Sequence, residues 1–97
     1  MGNIGNCIMK VPNGKLLKVT VEFEGNVIEK VQIKGDFFIH PEESIDELET
    51  TLKGVDYTLT NVSKLVSTFF GQTELTAFGI TPMAVTEAIM KCREDAP

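Results

Sequence analysis

LKVTVEFEGNVIEKVQIK, residues 17–34, is the stretch that decides the fold. Apolar and polar residues alternate from Leu17 to Phe23, which is the period of a strand with one buried face, and a second strand is expected from about Val27 to Lys34. Gly25-Asn26, between the two runs, is a hairpin signal. The stretch therefore predicts two antiparallel strands joined by a tight turn.

The length of this turn determines which residues face each other across the hairpin. A two-residue loop at Gly25-Asn26 would pair Val19 with Gln32 and would place polar groups on the core face. A three-residue loop, residues 24–26, instead pairs Val19 with Val31 and matches the apolar faces of the two strands. We therefore expect the three-residue loop.

Helical signals fill the second half of the chain. The first helix begins either at Pro41, which suits a first helical position, or at Ser44, which can open a capping box. A second helix is expected from Thr60. The third has the clearest start, because Thr81 is a good cap and Pro82 is preorganised for the first turn.

The order of these elements predicts the fold class. An earlier short strand, around residues 7–11, makes a three-stranded antiparallel meander with the hairpin. Strands followed by helices indicate an α+β fold, in which about three helices pack on one face of the sheet. We expect residues 1–97 to form one domain, with residues 1–6 flexible and residues 93–97 a frayed tail.

Composition and charge exclude several classes of protein. The net charge of -5 argues against binding to nucleic acid, whose phosphates require a basic surface. No apolar run approaches the roughly 20 residues needed to span a bilayer. The first residues also lack the basic and apolar regions of a signal peptide. We therefore expect a cytoplasmic protein that binds neither nucleic acid nor membrane.

The sequence offers no catalytic set and no metal site. Cys7 and Cys92 lie at opposite ends of the chain, and His40 is the only histidine, which is not a set of zinc ligands. The chain has no dinucleotide-binding motif, Walker loop or nucleophile elbow. We therefore do not expect the chain to be catalytic alone.

Two stretches carry more than a small core requires. The first is a Gly-Lys at the tip of a turn, and the second is a strand end followed by an acid and two adjacent aromatic residues. Neighbouring side chains diverge in a strand or a helix, so either one aromatic is available for a partner or ligand, or both are buried under different helices. The residues concerned are Gly14 and Lys15, and Gly35, Asp36, Phe37 and Phe38.

The same stretches carry a resemblance to a known family. From residue 10 onward the chain resembles the C-terminal accessory domain of lipoate–protein ligases, with a looser likeness in its later part. The motifs that carry the resemblance are Lys10-Val11-Pro12, Gly14-Lys15-Leu16, Gly35-Asp36-Phe37-Phe38, Pro41-Glu42-Glu43, the leucine-containing helix at residues 48–52, and Gly79-Ile80-Thr81-Pro82.

This resemblance implies a function that composition alone does not indicate. Such a chain is the non-catalytic small subunit of a two-part lipoate–protein ligase. It is required with the large subunit for ATP-dependent activation of lipoate to lipoyl-AMP, before transfer to a lysine of lipoyl acceptor domains. Lipoate, ATP and Mg²⁺ are then bound in the complex and not by this chain alone. Residues 35–38 are implied to be a partner or lid interface, and Gly14 and Lys15 a phosphate or partner contact.

A second interpretation is a free-standing interaction or scaffold domain that resembles iron–sulfur cluster assembly proteins. Those proteins require reactive cysteines on exposed loops. Cys92 lies on the predicted inner face of the last helix, and Cys7 lies in or near an edge strand, which disfavours sulfur chemistry. Thiol reactivity in the native protein separates the two interpretations. An independent enzyme is a third interpretation, which the missing catalytic set disfavours.

Overall fold

The predicted α+β class and the three-stranded antiparallel meander are confirmed. The computed structural model describes residues 2–11 and 15–96 of the chain. Within these residues, β1, β2 and β3 form one antiparallel sheet in that order, and β4 and β5 form a small second sheet. The elements are β1 (Asn3–Lys10), β2 (Leu16–Glu24), β3 (Val27–Gly35), β4 (Phe38–His40), α1 (Ser44–Leu52), α2 (Leu59–Phe70), β5 (Thr76–Phe78) and α3 (Pro82–Asp95).

Alternation along β2 places the core on one side of the main sheet. Leu17, Val19 and Val21 are fully buried, whereas Lys18 is exposed. The three helices pack on the buried side: α3 lies against β1 and β2, and α1 lies against β3. The other face of the main sheet is left uncovered by the helices and carries mostly polar side chains, as a half-buried strand pattern requires.

The hairpin reaches the expected match of apolar faces by a different route. Glu24 pairs with Val27, so the loop has two residues and the predicted three-residue loop is wrong. A β-bulge at Glu29 then shifts the register by one residue, and Val19 pairs with Ile33, which is neither the expected Val31 nor a polar residue. A bulge inserts an extra residue into one strand, so it restores the face match that the short loop alone would have lost.

The helix starts agree closely with the sequence signals. The first helix begins at Ser44, the later of the two predicted starts, but it has no side-chain cap. The second begins one residue before Thr60, because Thr58 is its cap. The third begins at Pro82, as predicted, and the hydroxyl of Thr81 accepts a hydrogen bond from the backbone of the first turn at 3.1 Å.

The described parts of both termini are more ordered than expected. The first strand begins at Asn3, and α3 continues to Asp95, so the flexible segment and the frayed tail are corrected there. Each end is held by hydrogen bonds. The backbone N–H of Asn6 donates to the Asp95 carboxylate at 2.9 Å, and Arg93 donates to the backbone carbonyl of Tyr57 at 2.5 Å.

Tyr57 anchors the segment between α1 and α2 to the core. Its ring is fully buried and meets Phe23 edge-on, with 5.1 Å between the ring centroids and 83° between the planes. Its hydroxyl donates to the carbonyl of Ile89 in α3, and the Arg93 guanidinium lies 5.5 Å from the ring centroid. Burial raises the pKa of Tyr57. One residue thus joins β2, the α1–α2 connection and α3.

Candidate partner-binding site

The structure brings the two singled-out stretches together. The backbone N–H of Asp36 donates to the carbonyl of Leu16 at 3.1 Å, which places the strand end beside Lys15. The stem of Lys15 lies against Gly79, since a Cβ built on that glycine would come within 2.5 Å of Lys15 Cγ. Residues 15–16, 35–38 and 78–79 therefore lie next to one another. Gly14, named with Lys15 in the sequence analysis, lies outside the described residues.

Gly35 makes this arrangement possible. Its φ is 155°, and a Cβ at this position would lie 2.2 Å from the carbonyl oxygen of Leu16. A side chain is therefore excluded by both the backbone conformation and the close approach of β2. Through this glycine the chain leaves β3 and turns into β4, where it presents the adjacent aromatic residues.

The two adjacent phenylalanines have different environments. Phe37 is partly buried and packs against the core, whereas Phe38 is 54% exposed. Of the two interpretations of this pair, the structure therefore supports the one in which a single aromatic projects outward. Phe38 faces Phe78 across the β4–β5 pair, with 6.5 Å between the ring centroids, and Phe78 is 65% exposed.

We call the surface formed by Lys15, Leu16, Asp36, Phe38 and Phe78 the aromatic end. Its three apolar members, Leu16, Phe38 and Phe78, are 48%, 54% and 65% exposed. Its lysine and its aspartate are both exposed. A cluster of exposed aromatic and aliphatic groups beside charged ones is typical of a protein interface, whose centre is apolar and whose margin is polar.

Sequence analysis missed Phe78. The strand that carries it has only three residues, and its pairing with β4 joins segments almost forty positions apart. The sequence contained only a weak signal for Phe78. This aromatic residue stands directly before Gly79 and shortly before the Thr81 helix cap, so it has no evident place on the buried face of a helix. The missed residue doubles the exposed aromatic surface that Phe38 would provide alone.

A second apolar surface lies between α2 and α3. It is an open groove of about 840 Å³, and Leu59, Met83 and Met90 are among its lining residues. The lining also includes Glu87 and Lys91, whose charged groups form an ion pair at 3.2 Å. These residues place apolar side chains next to a self-satisfied charge pair, which suits a protein contact better than a small charged ligand.

The thiols are poorly placed for chemistry. Cys92 is fully buried and donates to the carbonyl of Val19 at 3.3 Å, and burial raises its pKa to about 12. Burial also raises the pKa of Cys7. A reactive thiol requires a lowered pKa and access to solvent. The environment of both cysteines thus disfavours the sulfur-handling scaffold interpretation.

Other functional groups are sparse among the described residues. His40 is exposed, and the carboxylates, cysteines and histidine of residues 2–11 and 15–96 form no cluster of three or more that could hold a metal ion. In the same part of the chain, the helices are too short or too polar to span a lipid bilayer.

Comparison with known proteins agrees with this geometry. Residues 9–89 match the family described as "Bacterial lipoate protein ligase C-terminus". The chain belongs to this family. The match includes Lys15, residues 35–38 and Phe78, so it contains the whole aromatic end, and it confirms the resemblance inferred from the motifs.

One relative and one solved structure show how closely the chain follows this ligase family. It is 34% identical over 74 residues to lipoate-protein ligase A subunit 2 from Thermoplasma acidophilum, which covers 76% of each chain. It also superimposes with a TM-score of 0.80, at 29% identity, on a chain from the archaeal lipoylation system of the same organism. That work describes a bi-partite lipoate protein ligase and its E2 lipoyl domain, and the superposition covers 92% of this chain and 97% of that one. The scaffold interpretation is therefore not favoured.

Proposed function

We propose that this chain is the small, non-catalytic subunit of a two-part lipoate–protein ligase. It binds a catalytic large subunit, and the pair activates lipoate with ATP to lipoyl-AMP before transfer to a lysine of lipoyl acceptor domains. The observation that carries the proposal is the similarity over most of the chain to a separate ligase subunit 2. The paucity of chemical groups in the described residues supports an accessory role, and the aromatic end supplies a surface for the larger partner.

Docking of the large subunit is the first step of this proposal. Phe38 and Phe78 present two largely exposed rings, and covering them would remove apolar surface from water at about 25 cal/mol per Å². Aromatic residues are favoured anchors in protein interfaces. Lys15 and Asp36 lie at the same end and would supply polar contacts. We therefore assign the large-subunit contact, or lid, to the aromatic end.

Closure of the adenylation site is the second step. Joining a carboxylate to ATP gains from a site that holds both groups in place and excludes water. A small domain docked over the pocket of the large subunit supplies that closure. The stem of Lys15 lies against Gly79, and its exposed ammonium group would offset phosphate charge at the pocket margin. Lipoate, ATP and Mg²⁺ are assigned to the complex.

Binding measurements test the docking surface directly. The catalytic chain encoded by the same organism is titrated with wild-type and variant small subunits by calorimetry. Phe38→Ala and Phe78→Ala are each expected to weaken binding by about 2 kcal/mol, or roughly thirtyfold. Met83→Ala, in the α2–α3 groove, is the matched control for loss of an exposed apolar side chain and is expected to leave the affinity unchanged. The reverse pattern would move the interface to the groove.

Activity measurements test the role in adenylation. Pyrophosphate release from ATP and lipoate is expected from the mixed subunits and not from the small subunit alone. Lys15→Ala is expected to slow adenylation about tenfold, with little change in subunit affinity, if its ammonium group meets phosphate. Loss of affinity without a change in the rate of the saturated complex would make Lys15 a partner contact. Pyrophosphate release by the small subunit alone would refute the accessory role.

A further inference from the structure

The outer edge of β1 is open to another strand. The backbone N–H of Asn6 points away from β2, because it donates to the Asp95 carboxylate at 2.9 Å. Alternate residues of an antiparallel strand direct their N–H and C=O groups to the same side. The backbone groups of Ile4 and Ile8 therefore also face outward, along an edge that no other strand of the described residues pairs with.

The opposite edge of the sheet is closed by the chain itself. The backbone of Ile28 in β3 forms hydrogen bonds with Val55 and Gly54, at 3.0 and 2.7 Å. Further along, the N–H of Ile33 donates to the Glu49 carboxylate of α1 at 2.7 Å. The two edges thus differ, since the segment after α1 and a glutamate cover β3, whereas one aspartate reaches β1.

The side chains of the β1 edge are unusually apolar for an exposed strand. Ile4 is 54% exposed and Ile8 is 66% exposed, and both lie on the uncovered face of the sheet. Natural proteins avoid exposed apolar edge strands, because such strands are templates for pairing with another chain. The ligase-family match begins at residue 9, so Ile4, Asn6 and Ile8 lie outside the part of the chain that the family match covers.

We propose that β1 pairs with β1 of a second copy of this chain, antiparallel and about a two-fold axis at Asn6. The spacing of the edge is self-complementary, because Ile4 and Ile8 are equally distant from Asn6. The axis places Ile4 of one copy beside Ile8 of the other, twice, and joins the two sheets into one of six strands. A two-fold interface requires such a surface, in which one patch fits its own copy.

The polar groups along the edge also fit this pairing. The hydroxyl of Thr20 donates to the side-chain oxygen of Asn6 at 2.8 Å, which leaves the Asn6 amide N–H groups to donate across the axis. Lys10 falls opposite Gly2 of the other copy, so the register places no two like charges of β1 itself opposite each other. Antiparallel pairs gain from apolar neighbours and lose from opposed like charges.

Asp95 competes with the second copy for the central hydrogen bond. Its carboxylate occupies the N–H of Asn6, which in the dimer donates to the backbone carbonyl of the second copy. Removal of this carboxylate is therefore expected to strengthen self-association. This direction is informative, because a substitution that merely damaged the fold would not tighten a dimer.

Sedimentation equilibrium of the full chain alone, over a wide concentration range, tests the proposal. The wild type is expected to show a reversible monomer–dimer equilibrium. Ile8→Lys is expected to weaken the dimer at least about tenfold, and Asp95→Ala to tighten it about tenfold. Leu59→Lys is the matched control, because Leu59 is 61% exposed on α2, away from the edge. Denaturation curves of every variant show whether its fold is intact.

Cross-linking reports the register. In the variant Asn6→Cys, with Cys7→Ser to remove the neighbouring thiol, the two introduced cysteines face each other across the axis. Their Cα atoms would lie about 5.5 Å apart, within the range that a disulfide spans. A mild oxidant is therefore expected to give a covalent dimer. A cysteine in place of Lys18, one strand inward, is expected to give none.

Three outcomes would overturn the proposal. The first is a wild-type chain that stays monomeric at every concentration. This includes the case in which the Asp95→Ala variant dimerises and the wild type does not, because Asp95 would then prevent pairing at the edge. The second is a dimer that Ile8→Lys leaves unchanged. The third is a monomeric chain whose Ile8→Lys variant loses affinity for the catalytic large chain, since the edge would then belong to that partner.

Discussion

Two aromatic pairs of this protein have similar chemistry and opposite surroundings. The Phe23–Tyr57 pair is buried, with ring centroids 5.1 Å apart, whereas the Phe38–Phe78 pair is mostly exposed, with centroids 6.5 Å apart. The buried pair joins β2 to the segment between α1 and α2, and the exposed pair joins β4 to β5. We therefore expect the buried pair to contribute to folding, whereas the role proposed for the exposed pair is recognition.

The difference lies in the contacts around the rings. Tyr57 adds a hydroxyl bond to Ile89 and a guanidinium contact from Arg93, so three elements depend on it. Phe38 and Phe78 are directly opposite each other in two strands of three residues each. A cross-strand pair of this kind contributes about 0.2–1 kcal/mol. The exposed pair therefore has little to do with stability, and its cost of exposure is best offset by a partner.

The largest expected effect is on the buried pair. Tyr57→Ala should lower the free energy of unfolding by about 3–5 kcal/mol, because it removes a buried aromatic ring and leaves a cavity. Tyr57→Phe keeps the ring and should lose about 1 kcal/mol, the usual net contribution of one hydrogen bond. Chemical denaturation followed by circular dichroism measures both. Equal losses for the two variants would show that the hydroxyl, and not the ring, holds this region.

An intermediate effect is expected from pH. Burial raises the pKa of Cys92 from 9.0 to about 12 and also raises the pKa of Tyr57. The unfolded chain loses the Cys92 proton from about pH 9, whereas the folded chain keeps it, so this thiol leaves stability unchanged below pH 9 and lowers it as pH rises toward 12. The loss is at most about 1.4 kcal/mol per pH unit for each group.

Unfolding curves at about pH 8 and about pH 10.5 measure this loss. Cys92→Ser removes the contribution of the thiol to the pH dependence of stability. Comparison of the slopes of stability against pH between wild type and variant therefore separates Cys92 from Tyr57. A stability that did not change over this interval would mean that solvent reaches the buried groups.

Local patterns in the sequence were sufficient to predict parts of the buried core. The alternation in β2 predicted which of its residues are buried, and Thr81 with Pro82 predicted the start of α3. Both signals depend on neighbours within one turn or one strand. The bulge at Glu29 was not predictable, because a two-residue loop followed by a bulge and a three-residue loop both match the apolar faces. Choosing between them requires the energy of the turn, which the pattern does not contain.

The candidate site was predictable only in part, for a related reason. The adjacent Phe37 and Phe38 indicated that one ring could project, because neighbouring side chains diverge, but they left open that both are buried under different helices. Phe78 and the contact of Lys15 with Gly79 depend on pairings between distant parts of the chain, which leave no local period. The hold of Arg93 on Tyr57 is also long-range, and for this reason the C-terminal segment was expected to fray.

The smallest expected effect on stability comes from the exposed aromatic pair. Phe38→Ala should change the free energy of unfolding by less than about 0.5 kcal/mol, since its ring is mostly in water. Phe37→Ala is the matched control, because the neighbouring ring packs against the core, and it should cost about 2 kcal/mol or more. Asp36→Asn should leave stability unchanged, since the hydrogen bond to Leu16 comes from the backbone N–H of that residue and does not involve its carboxylate.

Denaturation curves of the three variants, set beside their affinities for the catalytic chain, separate folding from recognition. If Phe38→Ala were as destabilising as Phe37→Ala without a proportionate loss of affinity, residues 35–38 would be a folding element, and the search for the large-subunit contact would move to Lys15.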